Sequence, residues 1–345
     1  MRRRLFRLNV VVLIPNYPKT SPPRDAYSNI MNQQSSETFA ALVLAGPTAV
    51  GKTAVALALA EHIPAEIISA DSRQVYRFMN IGTAKPSPEE LARVPHHFID
   101  RCNPDEVFSA GQFGREARAR VGEIQQRGKM PLIVGGSGLY LRALLEGFAE
   151  ELPSNRVLQE ELKRRVEREG SASLHSELAR LDPLSAEHIH PNDGHRLVRA
   201  LEIFYSRQTS MRTLWETRGT PAPFAYRVFC LNLERATLYA RINRRAEKML
   251  AAGLVEECRQ LLARGYSPRL NALQTVGYQE AFAFLAGELE EPAMLELIQR
   301  HTRQYAKRQL TWFRKTAKCE WMTVHETETA QHLAARIAAL RLHSF

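Results

Sequence analysis

Short apolar runs alternate with amphipathic stretches of helical length along much of this chain. Strand-like runs fall at 39–45, 65–70, 96–100 and 131–134, and helical periodicity covers 53–63, 109–127 and 137–146. Such alternation predicts an α/β fold, a parallel sheet with helices on both faces. Ser109 is placed to cap the second helix. After Gly147 the alternation stops. From 152 to 217 the pattern is helical only, with a charged stretch at 160–169 and turn signals at Asp182-Pro183 and Pro191-Asn192-Asp193. A further strand-like run at 226–233 reopens the alternation, and helices are predicted from there to the end.

This pattern divides the chain into an extension (1–38), a first core segment (39–150), a helical insertion (151–225), a second core segment with a basic helix (226–325) and a helical tail (326–345). The extension is proline-rich and then polar, without helical period, and reads as disordered. Its opening, MRRRLFRLNVVVLI, has a basic start and a short apolar run but no convincing small-residue cleavage site. An upstream start codon, with Met31 nearer the true start, explains it as well as a tail does. An organellar presequence is the other reading.

Composition narrows the class. At 44% hydrophobic and 24% charged residues the chain matches ordinary globular proteins. No apolar run reaches membrane-spanning length, so no membrane association is expected. The cysteines at 102, 230, 258 and 319 form no C-x-x-C pair, which predicts neither a zinc site nor a disulfide framework and fits the reducing cytoplasm. A formal charge of +10 suggests a polyanionic partner. Part of the excess lies before residue 40. Another part lies between Leu297 and Cys319, where seven Lys or Arg meet no acid.

The most specific local signal is Gly46-Pro47-Thr48-Ala49-Val50-Gly51-Lys52-Thr53, which fits the phosphate-loop pattern G-x-x-x-x-G-K-[ST] between a strand and a helix. Glycines let the backbone wrap an anion, with N–H groups converging at a helix start. Lys52 adds a point charge, and the Thr53 hydroxyl can hold Mg2+. The fold expected is therefore P-loop NTPase-like, with a di- or triphosphate as ligand.

Three further constellations follow. Asp71 ends the second strand within Ser69-Ala70-Asp71-Ser72-Arg73-Gln74, where a carboxylate opposite a phosphate loop serves as magnesium ligand or general base. Capping a turn is the plainer role for a strand-end Asp. Gly135-Gly136-Ser137-Gly138 joins a strand to a helix and offers either close backbone approach to a ligand or a serine N-cap. Gly46, Asp71 and Gly136 all follow strand ends and should face one crevice. The third constellation is basic: Arg300, Arg303, Lys307, Arg314 and Lys318 lie near one helical face, with Tyr305 and Trp312 on another. The absence of acids there favours an anion-facing surface over a merely solvated one. A cluster at Arg241-Ile242-Asn243-Arg244-Arg245 is ordinary by itself.

Taken together these segments resemble the tRNA dimethylallyltransferase (tRNA isopentenyltransferase) family, in its bacterial form, from about Ala41 to Trp321. The markers are GPTAVGKT, SADSRQVYRFMNIGTAKPS, PHHFID, FSAGQF, LIVGGSGLYLRALLEG, HPNDGHRLVRALEIF, VGYQE and RQYAKRQLTWFRK, in the family's order. The zinc-finger region of eukaryotic cytosolic or nuclear relatives is missing, and the extension has no bacterial counterpart.

The resemblance implies transfer of a dimethylallyl group from dimethylallyl diphosphate to N6 of the tRNA adenine beside the anticodon's 3′ end, with Mg2+ as cofactor. It makes Asp71 the base, Ser137 the group that orients the amine, and residues 46–53 with Arg245 the diphosphate site. It assigns tRNA contact to Asp71, Ser72, Arg73, Gln74 and Ser137, to His195, Arg196, Leu197, Val198 and Arg199, and to Gln274, Thr275, Val276, Gly277, Tyr278 and Gln279. The expected protein is a cytoplasmic monomer. Competing readings are a P-loop small-molecule or nucleotide kinase, an adenylate isopentenyltransferase acting on free AMP, and a non-catalytic RNA-binding P-loop protein.

Overall fold

The computed structural model describes residues 41–148, 155–217, 219–316 and 319–342. The extension expected at 1–38 lies outside these, as do the junction at 149–154 and Lys318. Six parallel strands form one sheet in the order β3-β2-β4-β1-β5-β6. They are β1 (Ala41–Ala45), β2 (Ala65–Ser69), β3 (His96–His97), β4 (Met130–Gly135), β5 (Tyr226–Asn232) and β6 (Cys319–Thr323).

Every residue of β1 and β4 is buried, as their apolar runs predict for central strands. Strand side chains alternate between faces. Ala41, Val43 and Ala45 join one apolar layer, built with α3 (Ala110–Gln126), α4 (Gly138–Leu145), α11 (Leu254–Ala263), α12 (Tyr278–Leu285) and α13 (Glu291–Arg314). Leu42 and Leu44 join the other, built with α1 (Lys52–His62), α10 (Arg235–Ala251), the opposite side of α13 and α14 (Ala330–Leu342). The sheet is therefore covered on both faces, the α/β arrangement expected.

Helices α5 (Arg156–Glu169), α6 (Ser171–Leu181), α7 (Pro183–Ala186), α8 (Gly194–Arg207) and α9 (Met211–Glu216) share an apolar core of their own. Leu162, Leu174, Leu178, Leu197 and Leu201 meet there at almost no exposure.

Four local features differ from the sequence reading. β3 stops at His97, because Phe98 and Asp100 take positive φ and break the pleat, and Asp100 turns to accept from Lys85 Nζ at 2.5 Å. A short helix, α2 (Pro88–Arg93), is closed by a capping box from Ser87 and Glu90, which the sequence Ser87-Pro88-Glu89-Glu90 already spelled out. The second core segment is not helical to its end, since β6 pairs with β5. Across that pair Cys230 and Cys319 are placed as a disulfide, Cα to Cα 5.7 Å, where their spacing of 89 residues gave no sign of one.

Candidate active site

The loop after β1 and the loops after β2 and β4 emerge side by side, because β4 lies between β1 and β2. Lys52, Thr53, Ser69, Asp71, Gln74 and Gly135 line one cavity at the carboxyl ends of these strands.

The phosphate loop requires its glycines. Gly46 takes φ +145°, and a Cβ there would stand 2.7 Å from the Leu231 carbonyl on β5. Gly51 takes φ +105° and caps α1 without any side chain, so the first N–H groups of α1 stay open to an anion. Lys52 folds back beneath the loop and donates to the carbonyls of Gly46 (2.9 Å) and Pro47 (2.8 Å). Burial of its ammonium lowers the pKa to about 8; Asp71 works against that shift and Arg245 adds to it.

Asp71 is both a turn residue and an available carboxylate. Its Oδ1 accepts from the backbone N–H of Arg73 (2.8 Å) and Gln74 (3.4 Å), while no hydrogen bond engages Oδ2 among the described residues. Ser137 occupies the N-cap position of α4 but makes no capping bond. Its Oγ instead accepts from the Ser72 N–H at 3.0 Å and donates to the Ser72 hydroxyl at 3.2 Å. Ser137 thus makes no side-chain cap and is tied instead to Ser72, the residue after Asp71.

Arg245 and Arg244 are adjacent in sequence but diverge on α10. Arg244 is exposed, whereas Arg245 donates to the Thr48 hydroxyl at 3.2 Å. Burial lowers the Arg245 pKa and Asp71 opposes the shift; a guanidinium stays charged under such conditions. One turn earlier Arg241 brings its guanidinium within 4.0 Å of where a Gly51 Cβ would stand. Two cations four residues apart on one helix face therefore approach the loop.

The notional tRNA segments are less uniform than the resemblance implies. Arg73 donates to the Asn271 carbonyl, which ties 71–74 to the loop before α12. Gln74 donates to the carbonyls of Thr83 and Ala84 and accepts from Ser69. His195 and Arg196 are exposed, and Arg199 pairs with the buried Glu202 at 2.7 Å. Leu197 and Val198, however, are core residues of the insertion, so their side chains do not reach a ligand. Gln274 and Gln279 are exposed and bonded to each other, with Thr275 and Val276 half-buried between them. Gly277 takes φ +97°, and its N–H donates to Glu280.

Tyr278 is also internal. Its hydroxyl donates to Glu257 at 2.6 Å, and its ring packs where a Cβ on Gly82 would stand. The buried Glu257 carboxylate also accepts from the N–H groups of Asn80, Ile81 and Gly82. Replacing Glu257 with alanine strips the acceptor from four donors and is expected to cost about 3 kcal/mol or more, measured by urea denaturation. A loss below about 1 kcal/mol would mean that water takes the place of the carboxylate.

The basic helix α13 turns two faces to different tasks. Arg300, Lys307, Arg308, Arg314 and Lys315 are exposed, while Arg303 is engaged by Asn243 at 2.7 Å. The other face carries Tyr305, Gln309 and Trp312 at i, i+4 and i+7 and docks on the turn after β4. Trp312 packs against Gly138, where a Cβ would meet its ring at 2.4 Å. Burial together with the Asp71 charge pushes the Tyr305 pKa up to about 12. Sequence reasoning places Tyr305 only in an aromatic stripe, leaves Arg241 in a basic cluster that is ordinary by itself, and gives Gln309 no role. The four-residue spacing of Arg241 and Arg245 was the one signal available.

The family model described as IPP transferase matches residues 74–316. The chain belongs to the IPP transferase family. It is 47% identical over 286 residues to a tRNA dimethylallyltransferase of Desulfosudis oleivorans, an alignment covering 83% of this chain and 91% of that protein. Among solved structures it is similar to a full-length tRNA isopentenylpyrophosphate transferase from Bacillus halodurans, with TM-score 0.63, 38% identity, and coverage of 87% of this chain and 96% of that one. It is also similar to a eukaryotic dimethylallyltransferase captured acting on tRNA, with TM-score 0.71, 26% identity, and coverage of 87% and 78%.

Proposed function

We propose that this chain transfers the dimethylallyl group of dimethylallyl diphosphate to N6 of the tRNA adenine 3′-adjacent to the anticodon, position 37, and releases diphosphate. The observation that carries this reading is one crevice holding a phosphate loop, a carboxylate with a free oxygen and a glycine turn, in an IPP transferase. The adenine amine is a weak nucleophile because its lone pair is delocalised into the ring. Asp71 Oδ2 takes a proton from N6 as the nitrogen attacks C1 of the donor, and the C1–O bond breaks with its electron pair leaving on diphosphate. Ser137 accepts from the same amine and aims it. The growing charge is met by the N–H groups of residues 49–53, by Lys52 and by Arg245, the Thr48 N–H being held by Gln309.

Among the described residues no group of three His, Cys, Asp or Glu is arranged to hold a metal. Magnesium commonly takes few protein oxygens and more from phosphates and water, and the Thr53 hydroxyl at this cavity fits that pattern. Bound there, the ion supplies positive charge to the diphosphate.

The reacting adenine must leave its stack to enter the crevice, which is easiest in an unpaired loop. The exposed basic face of α13, with Arg196 on α8, offers cationic groups to the RNA backbone. About four phosphate contacts would make log K for tRNA fall against log salt with a slope of about −3, measured by filter binding. A flat dependence would remove α13 from the interface. No helix among the described residues is long and apolar enough to cross a membrane. We assign the enzyme to the cytoplasm, where its tRNA substrate is, and read it as a monomer.

The test is incubation with labelled dimethylallyl diphosphate and either tRNA or AMP. Label is expected in tRNA. Label in AMP alone would move the acceptor to the free nucleotide, and phosphate transfer from ATP without prenyl transfer would make the chain a kinase.

A further inference from the structure

Gln309 is a buried polar side chain that the reaction does not consume. It lies on α13, 261 residues from the phosphate loop and 173 from the glycine turn, yet it touches both. Its Oε1 accepts from the Thr48 N–H at 2.8 Å, and its Nε2 donates to the Gly136 carbonyl at 3.0 Å. The fit is close enough that a Cβ on Gly136 would stand 2.3 Å from Nε2. A glutamine amide is suited to this, since one planar group supplies an acceptor and a donor pointing to opposite sides.

The two backbones it joins belong to different halves of the reaction. Thr48 is in the loop that holds the leaving diphosphate, and its hydroxyl also receives Arg245. Gly136 adjoins Ser137, which faces the incoming amine. No β-ladder joins these segments beyond Ala45 and Gly135, where β1 and β4 end. Past that point the separation of the loop from the turn depends on side chains, and Gln309 bridges them directly.

We propose that Gln309 is a positioning residue that clamps the phosphate loop to the acceptor turn and so sets the distance between donor carbon and adenine amine. The inference rests on the prenyl-transfer reading and adds to it a determinant of register. It also gives α13 a second task. The helix that presents cations on its exposed face holds the active centre together with its buried one, Tyr305 and Trp312 flanking the clamp.

Positioning acts on turnover rather than on affinity, because each half-site still binds its own substrate. Gln309→Met keeps the length and volume of the side chain and removes both hydrogen bonds. It is expected to lower kcat for transfer into tRNA roughly ten- to a hundredfold, the scale of a misplacement near 1 Å. KM for dimethylallyl diphosphate and Kd for tRNA should each move less than about threefold. Gln309→Glu keeps an acceptor for Thr48 but sets a carboxylate against the Gly136 carbonyl, and should show the same split. Far-UV circular dichroism and Tm identify the folded variant to be assayed. Amide exchange of the 46–50 segment, faster in either variant than in the wild type, reads the clamp without reference to the reaction.

A folded variant of either kind with wild-type kcat would overturn the proposal. So would a rise in KM or Kd with kcat unchanged, which would make Gln309 a binding contact, or a loss of kcat that only tracks the unfolded fraction. Failure of the wild-type protein to label tRNA would instead sink the functional reading, and the exchange measurement would still judge the clamp.

Discussion

Asp71→Asn is expected to reduce kcat for prenyl transfer by a factor of roughly 100 to 10,000, the usual contribution of a positioned general base. Asparagine is the informative replacement because its carbonyl oxygen can still accept from the N–H groups of Arg73 and Gln74, which Asp71 Oδ1 holds at 2.8 and 3.4 Å. The 71–74 turn therefore survives, and the basicity of the free oxygen is lost. Binding of tRNA should change little. Asp71→Ala removes the turn acceptor as well and should add a loss of tRNA affinity to the loss of rate. The Asp71 charge also raises the Lys52 pKa, so its removal lowers that pKa and weakens donor binding near pH 8. Single-turnover rates at pH 7 with saturating donor separate the two effects. Equal weakening of binding and turnover in the asparagine variant would make Asp71 a contact only.

The parts of this arrangement legible in the sequence are those determined locally. The strands β1 and β4 announce themselves because a strand buried on both faces reads as a near-continuous apolar run, and β2 and β5 through the apolar runs Ile67-Ile68 and Val228–Leu231 within them. The phosphate loop is a run of eight residues whose conformation and chemistry are both short-range. Asp71 and Ser137 were visible as strand-end residues, but whether Ser137 caps its helix or faces a ligand depends on Ser72, 65 residues away. Arg245 could not be separated from Arg244 without knowing which side of α10 meets the loop. Gln309 was illegible for the same reason on a larger scale, since nothing near it in sequence marks its partners.

Leu197, Val198 and Tyr278 show the converse error. They were carried into the tRNA interface as members of matching segments, whereas the apolar spacing of Leu197, Val198 and Leu201 marks the inward face of α8. β6 was missed because its five residues, mostly exposed and with Glu320 reaching Arg227, are those of an edge strand rather than a buried one.

Arg245→Gln carries the second large effect, and it should show both in rate and in pH dependence. Arg245 approaches the loop through Thr48, and in the proposed reaction it meets the charge that develops on the leaving diphosphate. Losing one such donor commonly costs about 100- to 1,000-fold in kcat, and that is the loss expected here. The pH dependence comes from Lys52. Its pKa in the empty loop is lowered to about 8, first by burial, with Asp71 opposing the shift and Arg245 adding to it. Diphosphate binds the ammonium and not the neutral amine, so the bound pKa lies above the free one. Affinity for the donor is then fully present below pH 8 and falls as pH rises through that value, by up to about tenfold per unit for one proton. Removing Arg245 removes a repulsive cation, so the Lys52 pKa rises and the decline begins at higher pH, although affinity at neutral pH is lower. Isothermal titration of dimethylallyl diphosphate from pH 6.5 to 9.5 measures both curves. A midpoint unmoved by the substitution would show that Arg245 and Lys52 do not share the electrostatics of the loop, and that the arginine acts on the diphosphate alone.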